Sequence, residues 1–592
     1  MDWTGFCVLL ILISCVCSTK LHYDARVTVK NEGITRFSFE NHHSGLVKLV
    51  STSGSIIWMG RNETLYSIKP AQDFIPKLVN VSLCEDESED SDNSKCPYRL
   101  SLLSQGADGN LFFCGSTCEN TKCCNLTSSY SLTDCFKLEN YKPIINEPSL
   151  LVDDMLYFTT SEMGLYRVNK DKNYNIWSQS TQLEQKYLKL VAGEGQHQDK
   201  VYSFFAEKHK SKDGESDQWI PRVSQSCKND RGGRKGHLQN SWTSMIYARL
   251  FCGRGYDFSQ LIDVATLQTD DDDDIKIYAL FRNYWNMSAV CVYNMTEIST
   301  IFTSSEFNSN SVPAGHRPGA CVADSAGLSS EVLKVMSGRP EMRDWVMPEN
   351  GPLLFRHRHY THIQVDREQH DTVLLLSLES GGVHKVLEKP VFVIAEYLPF
   401  PHGTHITGML LDTSEKRLFV SSSNEVVQID LLACSVYGDE CTDCLLSRDP
   451  YCGWNGLQCT STEKGRVKDP HDCKMPLAEP SKTQFSAETP VVRVPASSRH
   501  FLVCPMTSHH ASYHWHRGNT REECVRSDQG CLYLIDSMDA SHEGSYTCVS
   551  SEDVYNRTVA RYELGLSRSN ARRLTPVGLL LLAVMSLPVL DF

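Results

Sequence analysis

Hydrophobic positions in this chain fall in short runs that alternate with polar residues or are rich in β-branched ones; stripes of helical period are missing. Gly45–Leu49, Leu111–Phe113, Lys200–Phe205, Ile275–Phe281, Asp371–Leu378, Val391–Ala395 and Arg417–Val420 have this character, and Gly, Asn, Asp and Pro separate them. The pattern predicts an all-β region from about residue 19 to 430. Roughly 400 residues of short strands need an architecture that hides sheet edges, and a radial β-propeller does so at this length, with stacked sandwiches as the alternative. No repeat of about 40 to 50 residues is legible, so periodicity does not choose between them.

Past residue 433 the cysteines change register. Cys434, Cys441, Cys444, Cys452, Cys459 and Cys473 lie within 40 residues, which predicts a small module held by about three bridges in place of a large core. Zinc would need a second C-x-x-C or a His pair beside Cys441 and Cys444, and neither is present, so no metal is expected. A linker with Pro476, Pro480 and Pro490 leads to Cys504, Trp515 and Tyr546-x-Cys548 in immunoglobulin order. In such a sandwich the cysteines join facing sheets, the Trp packs on the disulfide and the Tyr anchors a corner. Cys524 and Cys531 remain inside this unit and are expected to pair with each other.

The two ends point to a compartment. Phe6–Val16 is a short apolar run followed by Cys15, Cys17 and Ser18, the layout of a secretory signal cleaved near Ser18, although Asp2 stands where Lys or Arg is usual. Cleavage leaves 21 of the 24 cysteines in an oxidising compartment, where they become cross-links. Val577–Leu590 is apolar for only 14 residues, roughly 21 Å of helix against about 30 Å of hydrocarbon. Ser569, Asn570 and Ala571, a polar spacer with Arg572 and Arg573, and nothing after the run but Asp591 and Phe592 make a GPI-attachment pattern. Ser569 is the expected attachment site, with a short transmembrane stub as the alternative. Asn62, Asn80, Asn125, Asn286, Asn294 and Asn556 each head an Asn-x-Ser/Thr sequon and are candidate glycan acceptors.

Composition narrows the function. The 592 residues require several domains, and 41% hydrophobic with 22% charged residues describes folded protein. A net charge of −14 repels phosphate backbones, which excludes nucleic acid as a partner. There is no G-x-S-x-G, P-loop, H-E-x-x-H or kinase set, so neither catalytic residues nor a cofactor are expected, and an extracellular propeller hydrolase is the enzymatic alternative. The acidic runs Glu85–Asp92 and Asp270–Asp274 read as solvated surface, and His357 and His359 lack a third metal ligand.

Ser226–Cys252, Arg317–Cys321 (RPGAC) and Leu418–Trp454, with its CSVYGDECTDCLLSRDPYCGW, resemble semaphorins. The resemblance covers nearly the whole mature chain, and the GPI-type tail is similar to that of vertebrate class-7 members. It implies a signal peptide at 1–18, a seven-bladed sema β-propeller at 19–433, a PSI module at 434–474, an immunoglobulin-like β-sandwich at 488–563 and a removed GPI propeptide at 570–592. It also implies a homodimeric ligand for a plexin receptor, C-class favoured, acting in axon guidance, neurogenesis, cell migration and immune signalling. Such a ligand sits on the extracellular face of the plasma membrane, with a shed or secreted form open. Plexin-like receptor ectodomains begin with similar modules, but no signalling domain follows Leu590, which favours a ligand.

Matched to the family pattern, Cys227 pairs with Cys321, Cys252 with Cys291, Cys84 with Cys96, and Cys114 with Cys123 or Cys124. In the PSI module the implied pairs are Cys434–Cys452, Cys441–Cys473 and Cys444–Cys459. Closing a loop of roughly 94 residues, as Cys227–Cys321 would, is worth about 4 to 5 kcal/mol in the chain-entropy model. Cys118, Cys135 and one of Cys123 and Cys124 are surplus to the pattern, leaving a free thiol, an interchain bridge or an unusual local connectivity. Class-7 semaphorins are associated with an Arg-Gly-Asp tripeptide for β1 integrin just after the cysteine matched by Cys227; here Lys228, Asn229 and Asp230 stand there. An integrin contact needs a carboxylate to complete a receptor metal site and a basic arm nearby, which Asp230 with Lys228 or Arg231 would supply. The alternative is a loop in which Asp230 caps backbone amides.

Overall fold

In the computed structural model, seven antiparallel sheets follow one another along the chain, each built from strands adjacent in sequence. The model describes residues 24–567 apart from 84–97, 463–472, 474–489 and a number of shorter stretches. The first four sheets span strands Val47–Thr52 to Lys77–Val79, Arg99–Gln105 to Leu132–Leu138, Ser149–Val152 to Ile176–Trp177, and Gln185–Ala192 to Ile246–Arg249. The fifth runs from Gln260–Gln268 to Leu353–Phe355, the sixth from Tyr360–Glu368 to Phe392–Tyr397 and the seventh from Gly408–Asp412 to Glu425–Asp430. The leading strand of each sheet lies beside that of the next, and the seventh lies beside the first, so the sheets close into a seven-bladed propeller.

Two strands from the start of the described chain complete the ring. Val27–Val29 joins the sixth sheet parallel to Phe392–Tyr397, and Ile34–Ser38 joins the seventh antiparallel to Glu425–Asp430. Middle strands explain why no repeat is legible in the sequence. Ile56–Arg61 is buried at every position, because neighbouring blades cover both of its faces. Such strands read as continuous apolar runs, and the two-residue period that would mark each blade is erased. Phe113, with no exposed surface, is typical of this interior; truncation to Ala there costs about 3–5 kcal/mol.

Between strands Ser288–Asn294 and Leu353–Phe355 the fifth sheet carries an insertion with helices Met295–Ser304 and Ser330–Ser337. It packs on the fourth sheet through single bridges from Tyr247 to Glu341 and Leu250 to Val346. After the last blade strand the chain forms a short 3-10 turn at Cys434–Tyr437, a helix at Cys441–Leu446 and the hairpin Cys452–Trp454 with Cys459–Ser461.

The chain divides into two units, Met1–Pro470 and His471–Phe592. In the second, a five-stranded sheet faces the three-stranded sheet His500–Cys504, Gly530–Ile535 and Val525–Ser527. Cys504–Cys548 joins them, Trp515 is buried in the core, and the Tyr546 hydroxyl donates to the His542 carbonyl at 3.0 Å. The final strand, Tyr555–Leu566, passes the boundary at 563 given above, because Leu564 and Leu566 still pair with Val492 and Val494.

Candidate functional site

Asp230, the last residue of the proposed integrin tripeptide, is 2% exposed. Its Oδ1 accepts from the Gly232 amide (2.9 Å) and the Thr243 hydroxyl (2.9 Å). Its Oδ2 accepts from the amides of Thr243 (2.8 Å) and Ser244 (2.9 Å) and from the Ser244 hydroxyl (2.7 Å). Five donors saturate the carboxylate and fold the segment 230–244 back on itself. Asp230 thus takes the amide-capping arrangement given above as the alternative, with its carboxylate occupied by its own segment. Lys228 pairs with Asp153 at 3.0 Å, and Asn229 donates to the Val322 carbonyl at 3.0 Å, so both neighbours also bind within the chain.

The loop is held from both sides. Cys227–Cys321 ties its start to the insertion, Ser325 accepts from the Arg231 amide and donates to the Gly232 carbonyl, each at 2.9 Å, and Arg167 donates to the carbonyls of Lys228 and Asp230. A Cβ at Gly233 would lie 2.1 Å from the His237 carbonyl oxygen, so the close approach requires glycine. What projects is Arg231, Arg234, Lys235 and His237, all exposed. This basic tip on an acidic protein escaped the sequence reading, although Arg231-Gly-Gly-Arg-Lys-Gly-His237 was its signal.

A charged network fastens the insertion to the fourth sheet. Glu207 binds Arg222 (3.1 Å), Arg339 (2.7 Å) and Gln185 (2.8 Å), and Arg222 also reaches Glu341 at 2.9 Å. Burial pushes the Glu207 carboxyl up, but the guanidiniums of Arg222 and Arg339 outweigh it and hold it below the usual value. Cys252–Cys291 adds a covalent tie between the fourth and fifth sheets.

A second junction seats the cysteine-rich module on the propeller. Lys385 and Asp449, with wholly buried side chains, meet at 2.6 Å. The Tyr437 hydroxyl (2.5 Å) and the Tyr451 amide (3.0 Å) donate to the same carboxylate. Tyr451 donates its hydroxyl to Asp366, which Lys416 also binds at 2.6 Å, and Arg26 reaches Asp443 at 3.7 Å. Burial lowers the Lys385 ammonium while Asp449 pulls it back, and burial raises the Tyr437 phenol well above its usual value.

The structure pairs Cys434 with Cys452 and Cys444 with Cys459, and Cys441 and Cys473 are each disulfide-bonded. Cys524 joins Cys531. Cys114 pairs with Cys123, while Cys124 pairs with Cys135, which is the unusual local connectivity among the alternatives left open above. The pleat turns Cys123 and Cys124 to opposite faces of one strand, and a bulge between Thr133 and Phe136 brings Cys135 within reach of the second. Cys84, Cys96, Cys118, Ser569, His357 and both ends of the chain lie outside the described residues. Asp274, the described end of its acidic run, accepts from the amides of Ile275 (2.9 Å) and Thr296 (3.1 Å), the latter in the first turn of helix Met295–Ser304. Asn294, the N-cap, makes no side-chain cap bond, so its amide stays available. Asn80, Asn286 and Asn556 are exposed, while Asn62, Asn125 and Asn294 are half-buried. Among the described residues no cluster of three metal-ligating side chains occurs, and no helix is long and apolar enough to cross a membrane.

Fold and site together define a disulfide-braced sema propeller with an appended PSI module and an immunoglobulin-like domain. Family models match the Sema domain at 261–413, the plexin repeat (PSI) at 433–477 and a Semaphorin-3/4/7A immunoglobulin-like domain at 487–576. The chain thus carries Sema, PSI and Semaphorin-3/4/7A immunoglobulin-like domains in that order and is similar to semaphorins along most of its length. Human Semaphorin-7A is 29% identical over 577 residues, 90% of this chain and 85% of that protein. Human Semaphorin-4B is 27% identical over 624 residues, 89% of this chain and 73% of that protein. Among solved structures, Drosophila Semaphorin 2a aligns with a TM-score of 0.68 at 17% identity, covering 92% of this chain and all of that one. A structure of Drosophila Plexin A in complex with Semaphorin 1b aligns with a TM-score of 0.61 at 22% identity, covering 75% of this chain and 96% of the matched chain.

Proposed function

We propose that this protein is a glycosylated, GPI-anchored guidance ligand that binds a plexin, C-class favoured, from the extracellular face of the plasma membrane. The observation that carries the reading is similarity to Semaphorin-7A along most of both chains. The Plexin A complex among the structural neighbours supports a plexin as the receptor. The mechanism is binding alone. A loop saturated by internal bonds meets its partner with little entropy left to lose, and its basic tip steers acidic surfaces toward an otherwise acidic molecule. As a homodimer the ligand would draw two receptor chains together, so avidity exceeds single-site affinity. Axon guidance, neurogenesis, cell migration and immune signalling are the outputs this reading assigns, with a shed form carrying the same face. β1-integrin binding through Asp230 forms no part of it.

Residues 19–569 presented to a panel of plexin ectodomains test the reading: a C-class member should bind, and charge reversal at Arg234 and Lys235 should slow association. Binding to no plexin would remove the function. Sedimentation of the glycan-trimmed ectodomain as a monomer at micromolar concentration would remove the dimer. Failure of phosphatidylinositol-specific phospholipase to release surface protein would remove the anchor.

A further inference from the structure

The turn joining strands Ile275–Arg282 and Ser288–Asn294 holds two large rings in solvent, with Tyr284 66% and Trp285 74% exposed. The turn itself is firmly built. Buried Asn283 accepts through Oδ1 from the amides of Trp285 (3.0 Å) and Met287 (2.9 Å). Its backbone closes the turn with Met287 (3.1 Å) and Asn286 (3.0 Å). Asn286 takes a left-handed conformation at φ +57°, which asparagine tolerates better than most residues. The rings are thus displayed by a braced hairpin, and a rigid aromatic pair in water marks a surface that something covers.

The chain supplies a cover one residue away. Asn286 is exposed and heads the sequon Asn286-Met287-Ser288. Tyr284 also forms part of the wall of a cavity of about 490 Å³, which Trp219, Phe251, Phe258 and Trp345 line with Arg249 beside them. We propose that an N-linked glycan on Asn286 lies back on Tyr284 and Trp285, its first N-acetylglucosamine stacked on these rings at the mouth of that cavity. In the attachment step Nδ2 of Asn286 loses a proton and bonds to the anomeric carbon of an oligosaccharide, whose polyprenyl diphosphate carrier departs. A pyranose ring presents C–H groups on its faces and hydroxyls at its rim. Stacking sets the C–H groups against the electron-rich aromatic faces and leaves the hydroxyls in water. The glycan then works as a fixed part of the surface, shielding rings that would otherwise favour association.

The proposal rests on passage through the secretory route, so the test reads both. The full chain is expressed in mammalian cells, and glycopeptide mass spectrometry measures occupancy at Asn286, Asn80 and Asn556. Brief oxidative footprinting then follows Trp285 in the parent, in Asn286→Gln, and in parent protein trimmed to a single N-acetylglucosamine. Trp285 should oxidise several-fold more slowly in the parent and in the trimmed protein than in Asn286→Gln, with Trp454 unchanged. Equal Trp285 reactivity with Asn286 occupied overturns the proposal, as does an empty Asn286 beside occupied Asn80 and Asn556. All three acceptors empty overturns the secretory reading along with it. Protection of Trp285 only when a plexin ectodomain is added assigns the rings to the receptor and likewise overturns the proposal.

Discussion

Asp230 and Asp449 are both buried carboxylates, and the molecule satisfies them in opposite ways. Asp230 is held by neutral donors from its own segment, three backbone amides and two hydroxyls. Asp449, in the PSI module, is held by an ammonium that the propeller supplies. Donors from one segment fix the shape of that segment and say nothing about its neighbours. An ion pair across a module boundary fixes how two modules sit, and it leaves a heavy penalty when one partner is missing.

The sharpest way to break this comparison is Lys385→Met, which strands Asp449 and should cost about 3–5 kcal/mol. Hydrogen exchange of the full chain should then show the hairpin Cys452–Trp454 and Cys459–Ser461 opening first. Adding Asp449→Leu should restore most of the loss, because a matched apolar pair carries no stranded charge. Asp230→Ala should act more locally, at about 1–3 kcal/mol for the buried donors it leaves without an acceptor. Its signature is faster tryptic cleavage after Arg231, Arg234 or Lys235, with Asp230→Asn intermediate.

Acid should loosen the insertion. The folded value for Glu207 lies below its ordinary 4.5, so its stabilisation is fully present above that value and is lost as pH falls through the lowered one. Hydrogen exchange in helix Ser330–Ser337 should therefore accelerate as pH drops below about 4.5, and Glu207→Gln should flatten that dependence. The smallest effect belongs to Lys228→Ala. Its pair with the exposed Asp153 is screened by water, and unfolding should shift by no more than about 0.5 kcal/mol.

How much of this could be read in the sequence depended on whether the information was local. The immunoglobulin-like unit announced itself through Cys504, Trp515 and Tyr546, because each does its structural work by residue type. The all-β character of the larger region was equally plain. Its blade number needed the resemblance, since burial on both faces removes the alternation that would have separated the blades. The pairing of Cys124 with Cys135 depended on a bulge, and bulges leave no mark in composition. Asp230 resisted for another reason: the same residue in the same loop serves a receptor or its own backbone, and only the positions of Thr243 and Ser244, more than ten residues on, decide which.

The strands Val27–Val29 and Ile34–Ser38 give the molecule a history as well as a shape. Ile34 pairs with Ile429, so the opening of the propeller waits for its end. At roughly 5–20 residues per second, synthesis takes on the order of 20 to 80 s to bring that partner out of the ribosome. Throughout that time an arc of early blades leaves one apolar sheet face uncovered at each end. The ring is thus completed as a late event, and the cell that makes this protein must guard an unfinished circle for longer than most domains need to fold.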